Sequence, residues 1–115
     1  MDGSHQLGWL VRDGQVLASL EVASSRGERM RGLLGRDHFD GVLLLRPARS
    51  VHTFRMRFPI DVAFLSDDLV VLKVVTMVPW RISAPVVRAH CVIEAEAGAF
   101  RSWGLTVGDR LDVKE

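Results

Sequence analysis

One cysteine in 115 residues, Cys91, excludes an internal disulfide and any zinc site built on cysteines. Lysine is scarce too. It occurs only at Lys73 and Lys114, so the 15 basic residues are almost all arginine. That bias fits a GC-rich coding sequence, and it also suits recognition of carboxylates or phosphates. Neither sign of charge is in excess. A formal net charge of +1 argues against nucleic acid or an anionic membrane held by bulk charge. The longest apolar run, residues 69–80, is broken by Lys73 and Thr76 and is too short to span a bilayer. Asp2 stands where a signal peptide carries positive charge, and no apolar h-region follows. The expectation is a soluble cytoplasmic protein. The metal-binding spacings HxH, HxxxH and HExxH are missing, with histidines scattered at positions 5, 38, 52 and 90.

What is present is enough for a core. Hydrophobic residues make up 48% of a chain the length of one ordinary domain. A single domain over residues 1–115 is expected, with 1–6 disordered or an added remnant. Residues 7–22 read as a hairpin turning at Asp13-Gly14, the dipeptide favoured in two-residue turns. Ser24-Ser25 opens a short helix over about residues 25–34, with Glu28 completing a capping box and Gly35 as its stop. Met30, Leu33 and Leu34 form its apolar stripe, and Arg26, Arg29 and Arg31 face solvent. Strands follow at 41–45, 49–56, 61–65, 69–78, 90–96 and 110–113, with 98–108 a broken connection. Together these predict a mainly β fold, a small antiparallel jelly-roll-like sandwich or half-open barrel with one early helix.

The run from Val51 to Leu65 carries His52, Thr53, Arg55, Arg57 and Asp61 among strand-forming apolar residues. Polar groups in such a setting are costly unless each finds a partner, so the run is a satisfied network or a site. At period two, His52, Phe54 and Met56 share a face. Asp61 lies nearer Arg55 or Arg57, and that group is expected to organise the turn at Pro59. In the later strand Glu94 shares a face with His90 and Glu96, opposite Cys91, Ile93 and Ala95.

The chain resembles a known family through four blocks in order. These are Met30-Arg31-Gly32-Leu33-Leu34-Gly35-Arg36; His52-Thr53-Phe54-Arg55-Met56 through Pro59-Ile60-Asp61-Val62-Ala63-Phe64-Leu65; Val92-Ile93-Glu94 with Ala97-Gly98; and Gly104-Leu105 with Val107-Gly108-Asp109. It is similar over about residues 16–113 to the prokaryotic family catalogued as domain of unknown function 192. The central block is specific; the glycine-containing blocks count only in this order. The resemblance implies a compact mainly β fold and no settled activity. It also implies export or a lipid anchor for many relatives, against the cytoplasmic expectation here. An aromatic often precedes the family's central methionine where this chain has Arg55, so no aromatic platform is expected at that position.

Each polar residue has a structural reading beside a functional one. His52 suits a core or rim histidine bonded to backbone, Asp61 a carboxylate on backbone N–H groups or an arginine, and Glu94 a salt bridge with an arginine on the next strand. Gly98, Gly108 and Asp109 suit turns, and Trp103 a packing aromatic. The leading functional reading is a ligand-binding β domain whose pocket is lined by His52, Met56, Asp61, Trp80, Arg81 and Glu94. A protein-interaction module using an exposed edge strand comes second. A hydrolase using a His–carboxylate pair, or a metal held by His52, Asp61 and Glu94, comes third. No cofactor is specified, and the partner is an unknown small molecule or protein. Cys91, in an apolar run, reads as a small buried hydrophobe rather than a nucleophile.

Overall fold

The Asp13-Gly14 turn forms as the sequence predicts. In the computed structural model, which describes residues 6–115, both take positive φ, 53° and 79°. The turn joins β1 (Gln6–Arg12) to β2 (Gln15–Ala23) as an antiparallel pair, with Arg12 opposite Gln15. The expectation for residues 1–6 lies, Gln6 apart, outside the described residues.

The capping box also forms. The Glu28 N–H donates to Ser25 Oγ at 3.1 Å, and the Ser25 N–H donates to Glu28 Oε1 at 3.0 Å. Helix α1 (Arg26–Arg31) is only six residues long, shorter than the expected 25–34. Gly32 takes φ 49° and its N–H closes back on the Glu28 carbonyl, so the helix stops before Leu33. The apolar stripe therefore never completes: Leu33 is buried, whereas Met30 is 66% exposed.

The remaining elements are β3 (Val42–Leu45), β4 (Ile60–Leu65), β5 (Val71–Met77), β6 (Cys91–Glu96), α2 (Ala99–Trp103) and β7 (Asp112–Lys114). The expected broken connection at 98–108 thus holds a second short helix. One seven-stranded sheet runs β5-β4-β6-β3-β2-β1-β7. It is mixed rather than wholly antiparallel, because β2 and β3 run parallel. The segment holding α1 carries the chain back along the sheet before β3 begins, and a crossover of that length suits a parallel neighbour. The edges approach each other without closing. Val70 bridges Arg110, and the Val71 N–H donates to the Asp109 carbonyl at 2.8 Å. The half-open barrel is the better of the two expected architectures. Among the described residues no helix is long and apolar enough to cross a membrane.

Both faces of the central strands are covered: every residue of β3 and β4 is buried, Asp61 included. Leu20, Val42, Leu44, Ala63 and Ile93 form the inner layer, closed by Phe100 of α2. Leu43, Leu45, Ile60, Val62 and Phe64 form the outer layer, under Leu33, Val51, Met56 and Phe58.

The strand expected at 49–56 is replaced by an irregular segment. Only His52 makes a bridge, to Ile82. A turn follows, with Arg55 at φ 63° and the Met56 N–H donating to the Thr53 carbonyl at 3.1 Å. Thr53 is fully buried and pins this segment to residues 78–81. Its hydroxyl donates to the Val78 carbonyl at 2.7 Å and accepts from the Arg81 N–H at 2.9 Å. The alternation seen in the sequence is real, but it comes from a cover packed on the outer layer.

Candidate functional site

Glu94 lies in mid-sheet on the outer face of β6. Its cross-strand neighbours are Leu43 on β3 and Val62 on β4, both buried. The expected salt bridge with an arginine on the next strand is therefore not made; those positions are apolar. Glu94 is 3% exposed, and no hydrogen bond or ion pair reaches its carboxyl from the described residues. Gly32 sits above it: a Cβ there would lie 3.5 Å from Oε1. Burial pushes the carboxyl up from 4.5 to about 8, so near neutral pH it is mostly the uncharged acid, able to donate one hydrogen bond and accept others.

The carboxyl lies on a cavity of about 50 Å³ whose walls include Arg29, Arg31, His52, Phe54 and Met56. A groove of about 300 Å³ adjoins it, lined by Arg26, Arg29, Arg49, Ser50, His52 and Ile82. Arg29, Ser50 and His52 line both, so the groove and the Glu94 cavity lie side by side and share a wall. His52 Nδ1 accepts from the Phe54 N–H at 3.3 Å, which assigns the proton of a neutral ring to Nε2. The His52 ring stacks on Phe54 with centroids 5.2 Å apart, and Phe54 meets Trp80 at 6.3 Å.

Of the six residues singled out from the sequence, His52, Met56 and Glu94 meet at this cavity. Trp80 and Arg81 line neither space. Both are exposed, and Trp80 touches the site only through Phe54. Asp61 is on the opposite face of the sheet: it pairs with Ala95, of the inner layer, where Val62 pairs with Glu94. Its carboxylate accepts from Thr76 Oγ1 at 2.8 Å, from the Gly98 N–H at 2.9 Å and from the Phe100 N–H at 3.1 Å. Neither Arg55 nor Arg57 is its partner, contrary to the sequence-based expectation; Arg57 pairs with Asp37 at 2.6 Å. Asp61 organises the start of α2 instead of the turn at Pro59.

A metal held by His52, Asp61 and Glu94 is incompatible with this separation. Metal-ligand spacing occurs elsewhere, where His38, Asp40 and Glu96 bring donor atoms within 4.8 Å of one another near the surface. Sequence reasoning missed Gly32, Phe54 and the groove arginines as site residues. Arg26 and Arg31 are exposed and Arg29 is half-buried, so the solvent-facing side expected of these arginines is also the side that borders the groove and cavity.

Cys91 is buried in the inner layer. Burial pushes its thiol up to about 11, against a smaller opposing pull from Arg46. Ellman's reagent at mildly alkaline pH is expected to leave the folded protein unmodified and to label one thiol after denaturation. Rapid labelling of the folded chain would contradict an inert thiol.

The family DUF192, described as uncharacterised, matches residues 9–113. UPF0127 protein PH1112 of Pyrococcus horikoshii is 32% identical over 113 residues, spanning 94% of this chain and 92% of its own. UPF0127 protein PF1050 of Pyrococcus furiosus is 36% identical over 108 residues, spanning 90% and 93%. A crystal structure from Sinorhizobium meliloti, of a protein described as a candidate transcription regulator, superposes with a TM-score of 0.82 at 23% identity over 98% of each chain. A protein of unknown function from Novosphingobium aromaticivorans gives 0.77 at 18% identity, over 94% of this chain and 84% of that one. At these identities the two structures share the fold and nothing further.

Proposed function

This chain belongs to the uncharacterised DUF192 family, which lends it no activity, and we propose from its own residues that it is a small-ligand-binding domain. The observation that carries this reading is Glu94. Glu94 is 3% exposed, has no partner among the described residues and meets open space at the cavity, a costly setting for a group that proteins nearly always satisfy internally. Here the partner would come from outside, through a cavity that His52 and Met56 also line.

The test is a thermal-shift panel of sugars, polyols, amines, carboxylates and phosphates against the full chain and against Glu94→Gln. At least one class is expected to raise Tm by on the order of 10 °C at about a hundredfold its Kd, and to lose most of that shift in the variant. A panel without any Glu94-dependent shift sinks the reading.

Exposed Met30, Phe54, Trp80 and Ile82 favour a second reading, a protein-interaction module. Trp80→Ala separates the two. It would leave small-molecule binding in place and abolish partner binding.

A further inference from the structure

We propose, on the ligand-binding reading above, that the ligand is a small organic anion. Its carboxylate or phosphate is held by Arg26, Arg29 and Arg49 in the outer groove, and its uncharged hydroxyl or carbonyl end reaches Glu94.

Charge placement is the first argument. Every charged residue lining the groove is an arginine, and the inner cavity adds Arg31 and Glu94. The whole chain carries only +1, so this basic concentration is local. Two of the arginines are anchored with donors to spare. Arg29 donates from Nη1 to the Ser24 carbonyl, and Arg49 from Nε to the Ala89 carbonyl at 3.2 Å. A guanidinium fixed at one nitrogen presents its others in a set geometry, which suits an oxyanion.

The inner end supplies the second argument. Among the described residues Glu94 has no partner, and its setting is apolar apart from Arg29, Arg31, Ser50 and His52 at the cavity wall. A neutral acid there donates its proton to a carbonyl or hydroxyl oxygen. An amine would have to pass the arginines and then ionise Glu94 in a site that disfavours the charged form. Size is the third argument: about 50 Å³ admits one small functional group, and about 300 Å³ admits the rest of a small metabolite.

The test is isothermal titration of the full chain with four probes that share a diol and differ in charge: glycerol 3-phosphate, glycerate, glycerol and aminopropanediol. At least one anion is expected to bind about tenfold or more tighter than glycerol, with the amine weakest. Comparing the two anions distinguishes phosphate from carboxylate. Arg49→Gln, and Arg26→Gln with Arg29→Gln, should cut anion affinity about tenfold and leave glycerol unchanged; circular dichroism checks that each variant is folded. Glu94→Gln should weaken all diols together.

If glycerol or the amine binds as tightly as the anions, the anionic class is overturned while ligand binding stands. Anion binding untouched by every arginine variant overturns it as well. If no probe binds, compounds found in the thermal-shift panel decide: a neutral or cationic one overturns the anionic class, and none at all overturns both readings.

Discussion

Glu94→Gln is expected to abolish a fall in stability that the wild-type chain undergoes between about pH 4.5 and pH 8. The direction follows from linkage. The Glu94 carboxyl titrates near 4.5 in the unfolded chain and is pushed up to about 8 in the folded one by burial. Between those values the folded state holds the extra proton, so stability is greatest at or below 4.5 and is lost as pH rises through 8. Each tenfold gain in proton affinity on folding corresponds to about 1.4 kcal/mol, so the total loss is on the order of 5 kcal/mol. That is a large fraction of the roughly 5–15 kcal/mol that holds a domain together. A glutamine of the same shape does not titrate, so the variant gains on the wild type steadily with pH.

Urea unfolding across that range measures the difference. Other groups are accounted for by subtraction. Asp109 is held below 3.8 chiefly by the Thr106 N–H, with Arg12 assisting, so its contribution falls below the window. Arg29 and Arg31 face the same cavity. His52 is the other titratable group on the wall, and His52→Asn should leave the Glu94-dependent slope in place. A wild-type and variant pair with parallel pH profiles would mean that Glu94 is solvated or paired in solution. The ligand-binding argument would then lose its support.

How far the sequence discloses this depends on the range of the interaction. The Asp13-Gly14 turn and the Ser25–Glu28 capping box are local chemistry, and both form as expected. The continuous apolar run of β3 reads as a strand, and the structure buries it on both sides; the acids of β6 suggest a solvated face, whereas Glu94 is buried. The parallel pairing of β2 with β3 was not legible, because no local pattern encodes where a crossover returns. Residues 51–56 mislead for a physical reason. Val51, Thr53 and Met56 are buried at nearly strand-like spacing, yet Val51 and Thr53 bond to residues 80–83 and Met56 closes a turn on Thr53 in place of a ladder. His52 and Glu94 stood out individually as polar residues in apolar surroundings. Their meeting across 42 positions did not, because it depends on how the cover folds back over β6. Asp61 stood out for the same reason as Glu94, but its partners Gly98 and Phe100 come from a helix the sequence did not disclose.

That contrast makes Asp61→Ala the second large effect. The wild-type carboxylate satisfies the Gly98 and Phe100 N–H groups at the start of α2 and the Thr76 hydroxyl on β5. Truncation leaves these donors unpaired where Phe100 plugs the inner layer. Hydrogen bonds to a charged acceptor are each worth about 1.5–3 kcal/mol and are not additive, so a loss of about 3–5 kcal/mol is expected. For a domain of this size that lowers Tm by roughly 10 °C or more, measured by calorimetry. Thr76→Val removes only the part-buried hydroxyl bond to Asp61 and should cost about 1 kcal/mol. Because Asp61 lies on the opposite face of the sheet from Glu94, the Asp61→Ala protein, kept below its lowered Tm, should retain both the Glu94-dependent pH slope and the Glu94-dependent ligand shift. If ligand binding vanished while the fold persisted, Asp61 would belong to the site after all. If Asp61→Ala cost less than about 1 kcal/mol, the α2 anchor would be the part in error. The two buried acids thus divide by what satisfies them: Asp61 has its partners within the chain and holds α2 to the sheet, whereas Glu94 has none among the described residues and lines the cavity.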